Sequence, residues 1–250
     1  MAATLPLALL VTLAAARPVA AQAVVLPPRI RRIVLHALGG PFYGQPDKRW
    51  TFLTPAETLG LWKRPTFGAH WIVWTDGSIW PRHPVSGESP WFVAPAGALS
   101  PALARRLVRE AAPVYSHVEG HNSATVGIEV SHSGRSTDPF PGAQARAVAW
   151  LVSSLLELSQ GRLSSRDVVG HKDLDPRPAF VGDRCQGGHC LAYADAAGRP
   201  YRRRVDPPEG LFVALAQEGL KVPRERSEGD KELLRSESIP VDLVPRILKP

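Results

Sequence analysis

An α/β fold, a single domain with a mixed central β-sheet flanked by helices, is what the order of elements along the chain predicts. Short apolar strand-like runs alternate with amphipathic helical stretches, the pattern of a sheet with helices packed on it. One run, Ala69-His70-Trp71-Ile72-Val73-Trp74, is apolar on both faces, as a central strand requires. Asp76-Gly77 separates that run from Ser78-Ile79-Trp80, a hairpin signal that puts an antiparallel member into the sheet. At 250 residues the chain is long enough for one compact domain with tails.

The amino-terminal stretch is read apart from the fold. Leu5 to Ala16 is an apolar run too short to span a bilayer, followed by small residues at Val19-Ala20-Ala21 and Ala21-Gln22-Ala23. No Lys or Arg precedes it. Residues 1–23 are expected to be a secretory signal peptide. No cysteine follows the run to accept a lipid, so the expectation is an exported protein, periplasmic or secreted, with no stable membrane insertion.

The domain is expected over residues 24–220. Arg32-Ile33-Val34-Leu35-His36 reads as its first strand. Thr54-Pro55-Ala56-Glu57 then opens a helix, with Thr54 as N-cap, Pro55 at the first helical position and Glu57 closing a capping box. A second helix starts at Ser100-Pro101 and puts Leu103, Leu107 and Ala111 on one face. Thr125 to Val130 alternates strictly, so Val126, Ile128 and Val130 share one face and Gly127 and Glu129 the other. A longer helix from Gln144 to Ser159 carries the stripe Val148, Leu151, Val152, Leu155 and Leu158 and stops at Gly161. Val168-Val169-Gly170 is a last strand, and Glu209 to Gln217 a last helix. Residues 221–250 are charged and proline-containing and are expected to form a tail.

Charge restricts the partners. With 30 Lys and Arg against 23 Asp and Glu the formal net charge is +7, which favours anionic partners such as cell-wall polymers. The chain has no aromatic-and-basic nucleic-acid module and no zinc-finger spacing, so no nucleic-acid partner is expected.

Two of the strand runs end in histidine. His36 closes the first strand, and His171 follows Val168-Val169-Gly170. Each could be an ordinary hydrogen-bonded residue. Together with a later carboxylate, Asp206, they make the ligand set of a catalytic zinc with an open fourth position. Glu129 is either a solvated strand residue or, beside such a zinc, the group that takes a proton from metal-activated water. Gly127 removes a side chain on that face, which would let a ligand approach closely.

These blocks in order resemble the type-2 N-acetylmuramoyl-L-alanine amidases, a zinc amidase family that shares its fold with peptidoglycan recognition proteins. The resemblance runs from Ile33-Val34-Leu35-His36 through Phe67 to Val73, Asp76 to Ile79, His117 to Asn122, Val126 to Glu129 and Val169 to Asp173, and ends at Val205-Asp206-Pro207. It implies Zn2+ held by His36, His171 and Asp206, and Glu129 as acid-base. The implied reaction is hydrolysis of the amide between N-acetylmuramic acid and L-alanine in peptidoglycan or muropeptides. Arg204 stands where many relatives place an oxyanion-stabilising lysine, and Ala69 where some place a tyrosine. His70, His117 and Asn122 fall in segments that meet substrate in relatives. The spacing from His171 to Asp206 implies an insertion over about residues 180–201, which leaves Asp173, Asp175 and Asp183 as competing third ligands. Cys185 and Cys190, in that insertion, are expected to form a disulfide, with a Cys-His-Cys metal site as the other reading. The rival to an enzyme is a module of the same fold that binds muropeptides without cutting them.

Overall fold

The computed structural model describes residues 23–38, 52–84, 86–118, 120–133, 138–174 and 207–224, and the backbone of short strands at 179–180, 190–194, 200–204 and 246–247. The expected signal peptide up to residue 22, together with Asp175, Asp183, Cys185 and Asp206, lies outside the described residues.

Six strands form the main sheet: β1 (Arg32–Leu38), β2 (Trp71–Val73), β3 (Ser78–Pro81), β4 (Phe92–Val93), β5 (Thr125–Ser131) and β6 (Val168–Gly170), in the order β4-β3-β2-β5-β1-β6. The pairs β2–β5, β5–β1 and β1–β6 are parallel, whereas β2–β3 and β3–β4 are antiparallel. The mixed sheet expected from the element order is therefore present, and β1 sits inside it rather than at an edge. The hairpin is where Asp76-Gly77 places it. Gly77 takes φ 88°, a conformation that disfavours a side chain, and its N–H donates to the Trp74 carbonyl at 3.0 Å. Strand β4, only two residues long, has no counterpart in the sequence reading.

The helices are α1 (Pro55–Leu61), α2 (Pro101–Ala111), α3 (Gly142–Leu158), the single turn α4 (His171–Leu174) and α5 (Glu209–Gln217). Helix α1 begins as its sequence dictates: the Glu57 N–H donates to Thr54 Oγ1, and the Thr54 N–H donates back to the Glu57 carboxylate at 2.8 Å. The stripe of α3 is buried at all five expected positions, Val148, Leu151, Val152, Leu155 and Leu158. In α2 the buried set is Ala104, Leu107, Glu110 and Ala111, so the stripe is turned slightly from the expected one and Leu103 is only half-buried. Glu110 is tolerated inside because Trp71 Nε1 donates to it at 2.6 Å and the Arg106 guanidinium at 2.8 Å. Gln144, fully buried near the start of α3, donates its amide to the carbonyls of Val73 and Ser131 and ties the helix to the ends of β2 and β5.

One face of the sheet is a continuous apolar core. Ile33 and Leu35 of β1, Trp71 and Val73 of β2, Ile79 of β3, Val126, Ile128 and Val130 of β5 and Val168 of β6 pack with residues from α2, α3 and α5. The opposite face is divided. Trp62 and Ala69 cover Ile72, while Val34, Val118, Val169 and Leu174 form a smaller apolar group. A second small sheet joins β7 (Ala179–Phe180), β8 (Cys190–Ala194), β9 (Pro200–Arg204) and β10 (Arg246–Ile247) in the order β10-β8-β9-β7. It spans the expected insertion and reaches the carboxyl-terminal segment. The packed chain runs on to at least Arg224, whose guanidinium pairs with Asp173 and Glu209, with Val222 in the core. Among the described residues no helix is long and apolar enough to cross a membrane.

Candidate active site

Parallel pairing decides which polar side chains meet. His36 of β1 stands opposite Glu129 of β5 in the register, two residues beyond the pair Val34 and Gly127. Both therefore lie on the sheet face away from the main core and near the carboxyl ends of their strands. Val34 also pairs with Val169 of β6, and two residues after Val169 the chain has left the strand at His171. These carboxyl ends are where open α/β sheets place their ligands.

His36 and His171 converge: their Nδ1 atoms are 2.9 Å apart and the ring centroids 4.5 Å apart. Both residues are buried. Glu129 is also buried, at 8% exposure, so it is not the solvated strand residue that alternation alone allows. Burying ionisable groups together is costly unless they serve one another or a ligand.

His117 completes the cluster. Its Nδ1 lies 3.0 Å from His36 Nε2 and its Nε2 lies 3.1 Å from Thr125 Oγ1. A Cβ on residue 127 would fall 2.6 Å from His117 Nδ1, so Gly127 is glycine to seat this ring. The expectation that Gly127 leaves room for a ligand is corrected accordingly. Desolvation, then the neighbouring His70 and His171 rings, hold the pKa of His117 well below the ordinary imidazole value. The Asn122 carboxamide oxygen accepts the N–H groups of both His117 and Val118 at 2.8 Å. It shapes the loop that carries His117.

His70 is 1% exposed and spends both ring nitrogens on the main chain. Its Nδ1 accepts the Gly127 N–H at 3.0 Å, and its Nε2–H donates to the Pro113 carbonyl at 3.1 Å. Desolvation pushes its pKa down to about 3, consistent with a neutral ring that fastens β5. These bonds leave neither nitrogen for a substrate.

Asp173, one of the competing third ligands, has both oxygens committed. Arg224 donates to them at 2.8 and 3.1 Å, and the Gly170 N–H reaches Oδ2 at 2.7 Å. It is removed from the candidate ligands, being an ion-paired brace at the β6 exit. Among the described residues no group of three or more His, Cys, Asp and Glu side chains is arranged to hold a metal. Arg204 and Cys190 lie opposite each other in the β8–β9 register; their side chains are not among those described. The sequence reading did not single out Thr125 or the part Gly127 plays for His117. The available signal was a glycine inside an otherwise β-branched strand.

A buried carboxylate beside converging imidazoles at the carboxyl ends of parallel strands is the equipment of a hydrolytic site. The family comparison specifies the class: the model of the N-acetylmuramoyl-L-alanine amidases matches residues 26–182, and the chain belongs to that family. Membership assigns it to peptidoglycan amide hydrolysis. The match covers β1 to β7 and ends before Arg204 and Asp206. Among solved structures, the chain is similar to the endolysin N-acetylmuramoyl-L-alanine amidase LysCS from Clostridium intestinale, at 18% identity and TM-score 0.37, over 58% of this chain and 70% of that one. It is also similar to AmpDh3 from Pseudomonas aeruginosa, at 15% identity and TM-score 0.43, over 93% of this chain and 76% of that one. At these values the likeness bears on neither substrate nor mechanism. No curated protein matches the chain.

Proposed function

We propose that the protein is an exported zinc amidase that hydrolyses the bond between N-acetylmuramic acid and L-alanine in peptidoglycan or its fragments. The observation that carries this reading is the pair of Nδ1 atoms of His36 and His171, 2.9 Å apart, beside the register position of Glu129. Two convergent imidazole nitrogens fit zinc, whose ordinary donors are His nitrogen, Cys sulfur and carboxylate oxygen. His36, His171 and Asp206 would hold it. When bound there, zinc would polarise the scissile carbonyl and lower the pKa of water towards neutrality.

The chain's own residues supply the rest of the chemistry. Glu129 accepts a proton from the attacking water and delivers it to the departing nitrogen of L-alanine, so the carbonyl carbon gains oxygen and the amine leaves neutral. The Arg204 guanidinium stabilises the negative charge that develops on the carbonyl oxygen. Residues 1–23 serve as the export signal, and a Cys185–Cys190 disulfide pins the insertion.

Mass spectrometry of muropeptides incubated with the zinc-loaded protein and with Glu129→Ala tests the reading. Release of stem peptide beginning at L-alanine, lost in the variant, is the expected result. Retained muropeptide binding without release would overturn the enzyme reading in favour of a non-catalytic recognition module.

A further inference from the structure

The hydrogen bonds around His117 fix where its ring proton and that of His36 sit. The Thr125 hydroxyl has one proton, and it donates that proton to the His121 carbonyl at 2.9 Å. Towards His117, then, Thr125 Oγ1 is an acceptor, and His117 Nε2 carries the hydrogen of that 3.1 Å contact. A neutral imidazole has one N–H. With Nε2 protonated, His117 Nδ1 is bare and must accept from His36 Nε2 across 3.0 Å. His36 in turn carries its hydrogen on Nε2 and presents a bare Nδ1 to His171.

We infer that His117, braced by Thr125 and seated over Gly127, is a positioning residue that fixes the tautomer and ring plane of His36 so that Nδ1 faces His171 as the ligating atom. The inference rests on the zinc reading above for its purpose, but the relay of protons stands on the hydrogen bonds alone. It reassigns His117 from substrate contact to support of His36, and Asn122 with it, since that carboxamide holds the loop bearing His117. Gly127 belongs to the same device, because a methyl group there meets the His117 ring at 2.6 Å. Partners of this kind, donating to or accepting from the far nitrogen of a ligating histidine, change metal affinity by about 10–100-fold when removed.

Two measurements on the full chain test it. Long-range proton–nitrogen NMR of the metal-free protein at neutral pH should find His36 and His117 both protonated at Nε2. Zinc affinity, read by competition with a chromophoric chelator, should fall about 10–100-fold in His117→Phe and in Gly127→Ala. His117→Asn, whose amide oxygen replaces Nδ1 as acceptor, should retain most of the wild-type affinity, a rescue that a purely space-filling role would not produce. His36 protonated at Nδ1 overturns the inference, as does a folded His117→Phe with wild-type affinity. A wild-type protein that binds no zinc would overturn the proposed function, and the NMR result would still decide the relay.

Discussion

On one face of the sheet Ile33, Leu35, Val126 and Ile128 are fully buried against α2, α3 and α5. One residue along the same two strands, the other face presents Val34, His36, Gly127 and Glu129. The backbone, the register and the twist are common to both. What differs is how each face is satisfied: the first by close apolar packing, in which any partner of suitable volume serves, the second by directed hydrogen bonds in which each atom needs a particular counterpart. Stability and chemistry should therefore separate on mutation. Changes to the helical face lower stability and leave activity intact while the protein is folded, and changes to the histidine face do the reverse.

The largest expected separation is at Glu129. Glu129→Gln preserves shape and should lower kcat by about 10²–10⁴-fold, roughly 3–5 kcal/mol in the barrier, with the urea midpoint nearly unchanged. Initial rates of stem-peptide release beside urea titrations decide this. Leu151→Ala on the helical face should do the opposite. It removes a fully buried side chain and should cost about 2–5 kcal/mol of stability, with kcat retained below the melting transition.

A third test sharpens the boundary between the faces at His70. Its folded pKa is about 3, against about 6.5 for an unfolded histidine. Between those values the unfolded chain binds a proton that the native protein does not, so unfolding is favoured as pH falls. The slope attributable to this residue is up to about 1.4 kcal/mol per pH unit. His70→Asn, which keeps an acceptor for the Gly127 N–H, should reduce the proton uptake on unfolding near pH 5 by about one, measured from urea stability against pH. The smallest effect lies outside both faces. Thr54→Ala removes the N-cap of α1 and should cost about 1 kcal/mol, with no change in kinetics.

The same contrast explains what the sequence made legible. Helix α1, the Asp76-Gly77 hairpin, the alternation in β5 and the stripe of α3 all rest on neighbours a few residues apart, so their physical causes are local. His36, His171 and Glu129 were recognisable as chemistry-bearing residues, but their meeting depends on β1 lying between β5 and β6, which spacing does not encode. Gly127 was noticed and misread, because the ring that fills its space belongs to a loop ten residues upstream. Nothing local marks Glu110 as a buried residue of α2; its burial depends on Trp71 and Arg106 arriving with donors.

The position of β1 also sets the order of assembly. This strand precedes both its neighbours by a long stretch of chain: Ile33 pairs with Val126 on one side and with Val168 on the other. Parallel pairings over such separations are entropically demanding and slow folding. His36 and His171 are separated by 135 positions and come together only when β6 docks. The cluster should therefore form late, after the hairpin and helices, and an unfinished chain holds no assembled hydrolytic centre.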